Sequence, residues 1–343
     1  MTILATRLML ALTATVSAAV AATVAGAAAP APTYVAGRQI AGPDGGWDYA
    51  KVDPDTRKLY VAHGDVVTEI DLANGDAVRS FGAIAKAHAV VPLPGGMLLV
   101  TSAHDNTVRL FDTKSGRETA KIAVGDDPDA AFYDAATGHA VVMNAKGGTV
   151  SVIDVATRKV VRTITLKPGL EYGVLARGGR LFVNNEDANE IETANLTTGA
   201  VGPAIALTGC QGPTGLALDD KTDRLISACA NGKAAVVDAK AHRLVSLLTI
   251  GAGPDAAIVD ADRRLAFIPC GKDGVLDVIA LDAPGGPKIV ATVKTEPGAR
   301  TGALDPRDGS LYLPTARFSA PATAGARPAA LPGTFHVLVV NPH

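Results

Sequence analysis

Short apolar runs alternate with turns rich in Gly, Asn and Asp along most of the chain, without the period of a long helix. Runs such as LYVA (59–62) and LLVT (98–101) lead through polar turns into alternating strands such as TVSVID (149–154). One unit recurs at 47–78, 87–125, 128–164, 170–201, 213–251, 254–281 and 300–342. Seven units of roughly forty residues, each with three or four short strands, predict an all-β, seven-bladed β-propeller. The word PDAA stands at 128–131 and again at 254–257, followed each time by DA at the next turn. The two copies read as the same corner of two blades three repeats apart.

The last unit ends after its third strand, FHVLVVNP (335–342). TYVAGRQIAG (33–42) has the pattern of the missing fourth. Placing a strand of about 34–41 outside the last blade pairs the two ends of the domain, closes the ring and removes an exposed edge.

The first residues carry a different pattern. Arg7 is followed by an uncharged stretch from Leu8 to Ala25 and then by the small-residue site Ala25-Gly26-Ala27. Residues 1–27 read as a secretory signal peptide, leaving 28–343 as an exported propeller, periplasmic or secreted. No later stretch is apolar for long enough to span a bilayer, and no Cys precedes Cys210 to carry a lipid anchor. The balance of 32 basic against 34 acidic residues, a formal charge of −2, offers no general field for nucleic acid or anionic membrane. Aromatics at 4% argue against base stacking as well.

The segments VGDDPDAAFYDA, KLYVA and TVSVIDV resemble the repeats of the YVTN-repeat, YncE-like exported propellers of the wider WD40/YVTN repeat-like superfamily. WDYAKVDP, CQGPTGLALD, SACANG, GARTGALDP and YLPTARF resemble a narrower subgroup of it. The resemblance spans Tyr34 to Pro342. It implies the fold and an exported protein, and carries no defined activity. LPGG (93–96), where an Asp-Pro turn is usual, and Cys270 depart from it.

Aligning the units on their first strands exposes one residue per blade in the same register: Asp48, His88, Asp129, Glu171, Thr214, Asp255 and Arg300. The innermost strands line a propeller's channel, so these seven side chains are expected at one mouth. Clustered carboxylates with an imidazole suit one divalent ion, Ca²⁺, Mg²⁺, Mn²⁺ or Zn²⁺, held by Asp48, His88, Asp129 and Asp255. Such an ion would open a route to lactone or ester hydrolysis. Arg300 suits a carboxylate or phosphate. The same residues also suit plain structural duty, capping loop amides at strand starts.

A second tier comes from the loops after the second strands: His63, His104, Asn144, Asn185, Glu186, Asp187 and Arg317. His63, His88 and His104 offer a rival transition-metal site. Trp47 and Tyr49 flank Asp48 as pocket walls or blade packing. The Pro- and Ala-rich loop 316–334 in the last blade shares this face. Strand pairing in blade five brings Cys229 opposite Thr214, within reach of Cys210, so a Cys210–Cys229 disulfide is expected, with Cys229–Cys270 as the rival. No catalytic nucleophile–base pair is written in the sequence. The reading favoured is a monomeric binding protein that holds a small molecule or a periplasmic protein at the channel mouth. A metal-dependent lactonase or esterase at the same place is the alternative.

Overall fold

The computed structural model describes residues 33–320 and 328–343. Seven four-stranded antiparallel sheets succeed one another as blades, the arrangement of a seven-bladed β-propeller. The expected signal peptide lies outside the described residues. Within the first six blades the strands run in chain order from the channel outwards, as in Trp47–Asp53, Lys58–His63, Val66–Asp71 and Ala77–Phe81.

The second and third strands explain the apolar runs of the sequence. Both of their faces are covered by neighbouring blades, so Lys58–His63 and Arg224–Cys229 are buried at every position but the first. The fourth strands meet solvent on one side and alternate, as in Lys159–Thr165. The core therefore lies between blades. Leu59, Val61 and Ile70 of blade one pack on Tyr312, Val337 and Val339 of blade seven.

Blade seven is built from both ends of the domain. Tyr34–Ala41 pairs antiparallel with His336–Pro342, from Tyr34 opposite Pro342 to Ala41 opposite His336, and is the outermost strand. Tyr34 and Ile40 turn inwards and are buried, Tyr34 with its ring edge-on to Phe267 of blade six at 4.9 Å.

The innermost strands share an irregularity that the sequence does not announce. Their register shifts by one residue just after the first position, between Trp47 and Ala50, Ala87 and Val90, Pro128 and Ala131, Leu170 and Gly173, and Pro213 and Leu216. In blade six the Pro254–Cys270 bridge and the Ile258–Phe267 pair are offset in the same way. Each bulge falls on the residue singled out by the alignment, and a bulge re-aims the side chain it carries.

That bulge corrects one expectation: Cys229 pairs with Pro213, not Thr214. The disulfide forms nonetheless between Cys210 and Cys229, with Cα atoms 5.5 Å apart, and Cys270 is a buried free thiol in the neighbouring blade. The bridge fits an oxidising compartment. Among the described residues no helix is long and apolar enough to cross a membrane. Replacing both cysteines by serine is expected to cost about 3 kcal/mol, because the cross-link restrains the unfolded chain. Chemical denaturation with and without reductant checks this, since the double variant should be insensitive to the reductant.

Candidate functional site at the channel mouth

The bulged positions of blades one to six, Asp48, His88, Asp129, Glu171, Thr214 and Asp255, form a ring in blade order that Arg300 completes from the loop before the first strand of blade seven. Part of it alternates in charge: Asp255, Arg300, Asp48, His88 and Asp129 follow one another through blades six, seven, one, two and three. His88 stands between two carboxylates, its Nδ1 2.6 Å from Asp48 Oδ2 and 3.4 Å from Asp129 Oδ1. Arg300 donates from Nε to Asp255 at 2.7 Å. All but Arg300 are partly shielded from solvent; Arg300 keeps about half of its side chain exposed, at 48%.

The ring backbone is held by side chains of neighbouring blades. Thr101 Oγ1 donates to the carbonyl of Asp129 at 3.0 Å, and Thr301 Oγ1 to that of Asp48 at 2.9 Å. Asn184 Nδ2 donates to the carbonyl of Thr214 at 2.8 Å. Gly215 lets blades five and six meet, because a Cβ there would lie 2.4 Å from the carbonyl of Asp255. These contacts fix where the ring side chains start, and they leave the side chains themselves free for the channel.

Four carboxylates against one guanidinium and one imidazole leave excess negative charge in a confined mouth, and protonation answers it. Burial pushes Asp129 up to about 7; His88 opposes this, and the charges of Asp48 and Asp255 add to it. Burial together with Asp48 brings Asp255 to about 6 against the pull of Arg300. Glu171 is raised well above the usual carboxylate range, first by burial and then by Asp129 and Glu186. Burial by itself would lower His88, but its bond to Asp48 and the charge of Asp129 prevail and raise it.

The structure brings the ring together and separates the second tier from it. Asp48, His88 and Asp129 place one candidate ligand atom each within 4.8 Å of one another, the one such group of His, Cys, Asp and Glu among the described residues. Asp255 is outside that group and turned towards Arg300. The three histidines do not meet: His63 is buried with its ring 4.3 Å from Phe335, and His104 lies exposed in the short helix Ala103–Asp105. Asn144 Nδ2 is taken up by its own hairpin, donating to Thr149 and Ser151, while its buried Oδ1 has no partner, and Asn185 donates to the carbonyl of Pro168. Glu186 and Asp187 are exposed on the rim, where Glu186 adds charge near Glu171 and Asp255. Thr214 Oγ1 reaches only the carbonyl of Ala228, at 3.4 Å. The Arg317 side chain is exposed, its backbone tied to Thr334.

Trp47 and Tyr49 divide the work. Tyr49 is buried beneath the carboxylates with its ring 5.2 Å from that of Tyr172, a partner that no sequence signal marked. Trp47 packs outwards against Phe335 at 5.3 Å and Phe318 at 6.2 Å, joining blade one to the loop of blade seven.

No protein-family model matches the chain, and no curated protein matches it. A solved structure from Kuenenia stuttgartiensis hydrazine synthase is similar in fold. It aligns with a TM-score of 0.69 at 16% identity, over 86% of this chain and 96% of that one. The likeness concerns the propeller architecture alone.

Proposed function

We propose that this protein is an exported binding propeller whose channel mouth holds a small ligand or partner, with a divalent cation at Asp48, His88 and Asp129. One observation carries the reading: carboxylates and an imidazole from three successive blades converge at the mouth, His88 lying 2.6 and 3.4 Å from its neighbours. A site that holds protons on carboxylates near neutrality is a site that a dication would neutralise, because metal and proton compete for the same oxygens. The mixed oxygen and nitrogen donors suit Mn²⁺ or Zn²⁺ as well as Ca²⁺ or Mg²⁺.

A second reading, a hydrolase acting on lactones or esters, draws on Asp129, whose carboxyl at about 7 is matched to proton transfer at neutral pH.

Elemental analysis of the protein purified without affinity tag or chelator tests the reading, followed by calorimetric titration with each of the four ions. The expected result is about one equivalent of one ion, lost in Asp129→Ala while the circular dichroism and unfolding cooperativity are kept. An absence of binding by all four ions, or an Asp129→Ala protein that does not fold, would overturn it. If the ion is found, a lactone and ester screen decides between binding and hydrolysis.

A further inference from the structure

Beside the ring, between blade one and the blade-seven loop, lies an open cavity of about 450 Å³. That volume is in the range that takes a small organic ligand. Its walls include Trp47, Phe318, Phe335, Asp44 and Leu331, and Arg300 of the ring also lines it. The sequence names Trp47 as a pocket wall and puts the 316–334 loop on the same face, but only the fold brings Phe318 and Phe335 against Trp47, because they come from the opposite end of the domain.

We infer that this cavity is a subsite for an organic anion with a planar apolar body, its carboxylate on Arg300 and its ring among Trp47, Phe318 and Phe335. The inference rests on the reading of the channel mouth as a binding site and names the ligand class for it. Two features support it. Arg300 gives only Nε to Asp255, and among the described residues its two terminal nitrogens have no partner. A guanidinium with both terminal N–H groups free is a fork for a carboxylate. The aromatic walls supply flat apolar surface that a planar body covers by offset or edge-on contact.

The acidic residue in the lining does not cancel this. Asp44 accepts a hydrogen bond from the backbone N–H of Gly333 at 2.6 Å, and so anchors the loop to blade one. Asp255 and Asp48 offset the Arg300 charge from the ring side. A ligand seated here would reach from the aromatic walls to the edge of the Asp48, His88 and Asp129 cluster, with Arg300 as the shared residue.

Trp47 is the only tryptophan of the chain, so its fluorescence reports on the cavity alone. The probes are benzoate, its neutral counterpart benzamide, and acetate, titrated into chelator-treated protein so that no ion at the ring contributes. Benzoate is expected to change Trp47 emission saturably, with benzamide and acetate each at least tenfold weaker, the loss of a charged hydrogen bond or of the ring contact. Arg300→Gln should erase the preference for benzoate over benzamide. Phe318→Ala should weaken both, and it tests the wall even if Arg300→Gln fails to fold. Equal binding of benzoate and benzamide, or no saturable change up to about 10 mM benzoate, would overturn the inference. Either result leaves the cation measurement untouched, so the two readings fail separately.

Discussion

A chain lacking Tyr34–Ala41 is expected to lose cooperative unfolding and to leave solution as aggregate. The strand contributes the outer rung of blade seven along its whole length, and no other segment among the described residues can replace it. Its removal bares the edge of His336–Pro342, a strand carrying the apolar run VLVV, which is a template for pairing with another chain. It also takes Tyr34 and Ile40 out of buried sites, worth about 4 kcal/mol together at ordinary burial values. The single change Tyr34→Ala isolates one part of this and should cost about 3 kcal/mol, since the space beside Phe267 stays open. Size-exclusion chromatography and thermal unfolding check both forms. A truncated chain that stays monomeric with an unchanged midpoint would mean that the ring closes without its terminal strand.

Asp129→Asn is expected to act in two opposite directions at once. Asp129 and Asp255 keep their protons up to about 7 and about 6 in the folded chain, whereas in the unfolded chain both ionise near pH 4. Between those limits the folded state binds more protons, so their contribution to stability falls as pH rises from about 4 to 7. His88 is raised in the folded state, and its contribution, complete at acid pH, is lost as pH climbs through that raised value. The three effects run the same way. Without a cation the protein should therefore be more stable near pH 5 than near pH 8, as far as this site decides it.

Asparagine removes the charge that burial, Asp48 and Asp255 oppose, and it keeps the volume. At pH 8 the midpoint should rise by about 1–2 °C, for a relief on the order of 1 kcal/mol, and the slope between pH 5 and 8 should flatten. The same variant should lose the stabilisation that a bound dication gives wild type at pH 8. Scanning calorimetry at pH 5 and 8, with and without the ion, separates the two. A variant less stable than wild type at pH 8 would show that the carboxylate serves the fold and not a ligand.

The blades, their number and the closing strand were legible in the sequence because they rest on local pattern. Continuous apolar runs mark strands covered on both faces, as Leu59–Ala62 is, and turn residues fall at a regular interval. The ring was legible for the same reason, since equal register in every repeat brings Asp48, His88 and Asp129 to one mouth however far apart they stand in the chain. The disulfide followed from strand pairing within one blade, although its register was displaced by a bulge at Thr214 that leaves no mark in the residues.

The sequence by itself thus determined the repeat, its count and which residues share a position. Tertiary structure decided which of them touch. Alignment treats Asp48, Asp129 and Asp255 alike, but blade order places His88 between the first two and gives the third to Arg300. It likewise turned His63 onto Phe335 and left His104 in solvent, although their places in the repeat are nearly equivalent. The cavity beside Trp47 exists only because Phe318 and Phe335 return to blade one from the far end of the chain. Periodicity records what each repeat does alone; contacts between repeats depend on rotation about the channel axis, which no local pattern encodes.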